Sequence, residues 1–156
     1  RTGLELREAY LSYAKGNFDL RVGRQIVVWG VADALRVTDC VSPFDYTEFL
    51  AQDYDDIRMP VNGLRAKYTR GSVTLEAVCN PVADFFVLPT DERNPWAIRL
   101  PSATLPYTTE LESGKPEKKI KNMEFGGRAS VNLSGIDFSV SALRTWNQLP
   151  ALCPAL

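Results

Sequence analysis

Charged side chains recur at every second position in paired segments of the chain, and these are the residues whose types and spacing could do chemistry. Arg21, Arg65, Lys67 and Arg128 share one parity with Glu8, Asp19, Glu76 and Glu124. A guanidinium presents a planar fork that matches a carboxylate or phosphate. Rings of such charges along a pore wall discriminate among small ions. Arg24 has the opposite, apolar parity set by Val22. An arginine at the middle of a bilayer costs about 2–4 kcal/mol, so a bulge at Gly23 that re-aims Arg24 is expected. The expected solute-binding set is therefore Arg21, Arg24, Arg65, Lys67, Glu76 and Arg128.

A second group of charges lies in residues 31–60, where Asp33, Asp39, Asp45, Glu48, Asp53, Asp55 and Asp56 face only Arg36 and Arg58. One expectation is that this segment folds inward and that Asp53, Asp55 and Asp56 narrow a pore by pairing with the arginines. The alternative is that these carboxylates are simply solvated. Asp53-Tyr54-Asp55-Asp56 offers oxygens suited to calcium, but it lacks the glycine and distal glutamate of an EF-hand loop, so no metal site is expected.

Other chemistries lack their residues. Histidine is absent, which removes the commonest general base, and no G-x-S-x-G run is present, so the chain does not read as an enzyme. Cys40, Cys79 and Cys153 show no C-x-x-C spacing, and no cofactor is implied. Cys79 falls on an apolar strand face, where packing is the plain reading. With 24% charged residues and a net charge of −1, there is no electrostatic case for nucleic acid.

Positioning the charges falls to strands. In 18–23, Phe18, Leu20 and Val22 alternate with Asp19, Arg21 and Gly23, the period of two of a half-wet strand. Six such segments are expected at about 4–14, 18–29, 61–69, 72–80, 123–133 and 136–146. They pair into three hairpins through Lys15-Gly16-Asn17, Arg70-Gly71 and Ser134-Gly135. Strands of about eleven residues exceed the usual five or six and suit tilted crossing of a bilayer. Between hairpins, residues 31–60 and 81–122 do not alternate. Ser42-Pro43-Phe44-Asp45 resembles a helix start, predicting a short helix over 43–52.

Tight turns at one end and long loops at the other are the pattern of an outer-membrane barrel. Backbone in lipid must be fully paired, so only helices and closed barrels span. Eight strands is the usual minimum for closure, so residues 1–156 read as part of a single, larger barrel domain. Half of a soluble sandwich or lipocalin-like barrel fits the same alternation. In that case Leu64, Ala66, Leu75, Val131 and Phe138 would contact a second sheet. Trp29 and Trp146, at strand ends, fit either an interfacial girdle or ordinary packing.

Particular runs add a resemblance. LREAYLSY at 6–13, DLRVGRQIVVWG at 19–30, LRVTDCVSPFDY at 35–46 and DDIRMP at 55–60 resemble an uncharacterised, porin-like family of Gram-negative outer-membrane proteins, a domain of unknown function. PVADFFVLPTDERNPWA, after the fourth strand, is similar to the same family. The resemblance implies an all-β antiparallel transmembrane barrel in the cell outer membrane, surrounded by outer-membrane lipid and passing small solutes by diffusion. A homo-oligomer is compatible with it. A loop-plugged structural or export-associated barrel is the alternative, and a soluble β-rich binding protein is the second.

Overall fold

A computed structural model describes residues 6–30, 39–48, 53, 56–91, 93–97, 107–108, 116, 119–149 and 153–154. The chain forms β1 (Ala9–Lys15), β2 (Phe18–Gln25), β3 (Val61–Arg70), β4 (Val73–Asn80), β5 (Tyr107–Thr108), β6 (Glu124–Leu133), β7 (Ile136–Arg144) and β8 (Cys153–Pro154). Six of them make one antiparallel sheet in the order β1-β2-β3-β4-β6-β7. β1 and β7 are its two edges, and among the described residues no pairing joins them. β5 and β8 pair separately, a link between the two later connections that alternation did not foretell.

Each hairpin closes with a two-residue turn. Gly16 and Gly71 occupy the first turn position with φ of +58° and +57°, while Ser134 and Gly135 are both positive at +50° and +90°. These are the turn forms whose twist matches that of the flanking strands. Gly16 alone takes the left-handed conformation in its turn, and Asn17 does not.

The sheet leaves its apolar face uncovered. On the apolar face Leu11 is 82% exposed, Val140 78%, Phe138 59% and Leu75 49%. Apart from the β5–β8 pair, every contact between strands is between sheet neighbours. Among the described residues, then, no second sheet covers Leu64, Ala66, Leu75, Val131 or Phe138. A contiguous exposed apolar face of this kind is unusual on a soluble monomer.

The covered face is the polar one, and chain from the first long connection covers it at the loop end. Val27, Trp29 and Val41 pack there on Val61 and Val78, with Leu143 against them. Val61, Val78 and Leu143 have the same parity as Arg65, Glu76 and Ser141, so this face changes from charged to apolar along its length. Burial of each such valine is worth about 1.5–3 kcal/mol. A second cluster joins Phe44, Ile57 and Phe86, with Tyr46 beside them. The Phe44 and Phe86 rings stack at 5.6 Å.

Three local expectations are corrected. Residues 43–48 are not helical. Phe44 bridges Arg58 and Asp45 bridges Val87 as isolated β pairs, and the Asp45 carboxylate accepts from Thr47 N at 2.8 Å. The backbone donors that a helix would need are thereby committed to extended pairing and an Asx turn; residues 49–52 lie outside the described residues. The β2 strand ends at Gln25 rather than Trp29 because side chains take its amides: Ile26 N donates to Glu8 Oε1 and Val27 N to Ser42 Oγ. No bulge forms at Gly23, since β2 pairs without a break with β1 and β3 through Gly23 and Arg24. Gly23 instead takes φ of +135°, and a Cβ there would stand 2.5 Å from the Ala9 carbonyl oxygen.

Candidate functional site

The regular pairing sets the charged row. Across the sheet Asp19 faces Lys67, Lys67 faces Glu76, and Glu76 faces Arg128. Two residues nearer the loops, Arg21 faces Arg65. Five of the six residues expected to bind solute are thus brought onto one patch of the polar face. Arg24 is not. It stays on the apolar parity, at the loop end of β2, where its Nε donates to the Leu6 carbonyl at 2.9 Å. A guanidinium near a strand end reaches polar surroundings without any bulge.

Glu76 is the hub. Its carboxylate accepts from Arg65 Nε at 2.9 Å and Nη2 at 3.0 Å, the two-pronged geometry that makes such pairs strong. It also accepts from Trp29 Nε1 at 2.7 Å. The Glu76 side chain is 9% exposed and that of Arg65 21%. Arg128 Nη1 donates to the Trp29 carbonyl at 2.7 Å. One loop residue therefore touches the sheet twice, through its indole and through its backbone. Trp29 is buried on the polar face, not placed at an apolar rim, because the indole N–H finds a carboxylate there. Trp146 differs: it is 44% exposed, and its Nε1 donates to the Asn122 carbonyl.

The remaining cations are less fully engaged. Arg21 lies 3.4 Å from Asp19, but its Nε lacks a hydrogen bond, and its guanidinium stacks 5.2 Å from the Tyr10 ring centre. Lys67 is half-buried, and the hydrogen bonds and ion pairs of the described residues do not include it.

The acidic segment is placed differently from the pairing expected of it. Asp56 pairs with Arg7 at 2.9 Å, with both side chains about half exposed. Asp53 is exposed, and its carbonyl accepts from Asp56 N and Ile57 N. Neither is brought to the arginines of the sheet; Asp55 lies outside the described residues. Among the described residues of this segment, the carboxylate that reaches the interior is Asp39, which accepts from Trp29 N at 3.1 Å and pairs with Arg58 at 3.0 Å. Cys79 is a free thiol, and its Sγ lies 3.5 Å from Met123 Sδ. Among the described residues no group of His, Cys, Asp or Glu could hold a metal ion, and no helix is long and apolar enough to cross a membrane.

A family described as "Protein of unknown function (DUF1302)" matches residues 1–155. The chain belongs to that family. No curated protein matches it, and no solved structure does. The family description brings no activity to the DUF1302 chain, so its site rests on geometry. Trp29, Ser42 and Asp39 are the positions around this patch whose contacts the sequence did not disclose. The available signal was a tryptophan-glycine pair where the expected strand runs out, with Asp39-Cys40-Val41-Ser42 beginning ten residues after Trp29; Asp39 and Ser42 are the polar side chains that cap the displaced backbone.

Proposed function

We propose that this DUF1302 chain forms part of the wall of an outer-membrane β-barrel, a porin-like channel through which small solutes diffuse. One observation carries the reading. The sheet exposes its apolar face, and the chain folds over the polar one at the loop end, the inverse of a soluble β protein and the arrangement of a barrel wall between lipid and water. Arg21, Arg65, Lys67, Glu76 and Arg128 then line the lumen. Residues 26–30 and 39–44 lie across the lumenal side and narrow it. Six strands do not close a transmembrane barrel, so further strands complete the wall. Unpaired backbone in lipid is prohibitive, and the β1 and β7 edges are where those strands join.

The packing of Val27, Trp29 and Val41 against Val61 and Val78 favours a second reading, a barrel plugged by its own loop that serves a structural or export-associated role. Conductance separates the two. The full-length protein, purified in detergent and reconstituted in a planar bilayer, is expected to give discrete steps of ionic current. A correctly folded barrel that carries no current would overturn the channel and leave the plug.

A further inference from the structure

Resting on the channel reading, we propose that the charged row is a selectivity site for small anions bearing carboxylate or phosphate groups, with Arg21, Lys67 and Arg128 as the residues that meet the solute. Four cations, Arg21, Arg65, Lys67 and Arg128, share this patch with two carboxylates, Asp19 and Glu76. Glu76 has both oxygens occupied by Arg65, and one also by Trp29. It neutralises Arg65 and offers little to its cross-strand neighbours Lys67 and Arg128.

Arg128 has a neutral partner, the Trp29 carbonyl, so its charge is not cancelled. Arg21 has an ion pair without a hydrogen bond and an orphan Nε. Lys67 stands between Asp19 and Glu76 in register and within bonding distance of neither. Of the other acids on this face, Glu124 accepts from Trp146 N and Thr145 Oγ1, Glu8 from Ile26 N and Asp137, at the turn end, from Asn132 Nδ2. Nearby acids of the first connection are also engaged elsewhere, Asp39 by Arg58 and Asp56 by Arg7. The patch therefore keeps a net positive charge in a half-buried setting, where screening is weaker than in open water. Its donors are spread over β2, β3 and β6, across a width that suits a multivalent solute better than a single halide.

The test is ion selectivity of the full-length protein in a planar bilayer under a potassium chloride gradient, with inorganic phosphate added as a blocker. The wild type is expected to pass chloride in preference to potassium and to show phosphate-dependent interruption of current. Lys67→Gln and Arg128→Gln should each lower the chloride-to-potassium permeability ratio by roughly two- to fivefold, since each removes one charge at close range. Lys67→Arg should retain the ratio, which separates lost charge from lost packing. Because Lys67 holds no partner, its Gln variant should also fold as the wild type does. Current whose selectivity and phosphate block ignore both glutamine substitutions overturns the anion site and leaves the channel standing. Absence of current in every variant overturns the channel itself and the anion site with it.

Discussion

Val140 is the middle residue of the nine-residue β7, opposite Ala129 in the register and 78% exposed. Replacing it with arginine gives opposite forecasts in the two media. A side chain that already faces water changes stability by no more than about 0.5 kcal/mol when exchanged for a polar one. A charge placed near the midplane of a bilayer on the lipid side of a barrel costs about 2–4 kcal/mol. Because so little of Val140 is packed on protein, loss of native contacts adds almost nothing to either figure. The difference therefore reports on the surroundings. Ser139→Arg, the next residue and on the polar face, is the control and should cost no more than about 1 kcal/mol. The assay is guanidinium unfolding of the full-length protein in phospholipid vesicles, followed by tryptophan emission. Val140→Arg is expected to lower stability by about 2–4 kcal/mol and Ser139→Arg far less. Equal shifts for the two, or a Val140→Arg shift below about 0.5 kcal/mol, would refute the assignment of faces.

Other outcomes follow from the site and the backbone. Glu76→Gln and Trp29→Phe, combined in a double-mutant cycle of unfolding free energies, should show a coupling of about 0.5–3 kcal/mol; additive effects would mean that the Trp29–Glu76 bond does not hold the loop. Glu76→Gln alone should destabilise by about 2–4 kcal/mol, since it leaves Arg65 half-buried without its counter-charge. Gly23→Ala should destabilise by about 1–3 kcal/mol, measured by the same unfolding curves, because φ of +135° and a 2.5 Å approach to the Ala9 carbonyl leave no place for a Cβ. Asp56→Asn should change stability by less than about 1 kcal/mol, as expected of an exposed pair, and should leave ion selectivity unaltered.

The sheet was legible in the sequence because alternation is a backbone property. Where Phe18, Leu20 and Val22 alternate with Asp19, Arg21 and Gly23, one register satisfies both faces, and a one-residue slip would exchange them. That Arg21, Arg65, Lys67, Glu76 and Arg128 share one face was legible for the same reason, since it follows from parity. What could not be read lies where backbone donors leave the ladder for side chains. Ser42 carries the signature of a helix cap, yet its hydroxyl accepts from Val27 N, fifteen residues back. By alternation Trp29 ends the expected strand, the place of an interfacial residue, and only the fold-back of the chain brings its indole to Glu76. Arg24 invited a bulge because its parity was costly at mid-bilayer. Its position near the end of β2, and the Leu6 carbonyl it reaches, remove that cost without one.

Membrane fractionation of cells making the full-length protein, followed by gel mobility with and without boiling, tests the central claim most directly. A band in the outer-membrane fraction whose mobility changes on boiling is expected, because a closed barrel with a lipid-facing apolar surface resists detergent until it is heated. A protein found in the soluble fraction, with mobility indifferent to boiling, would contradict it.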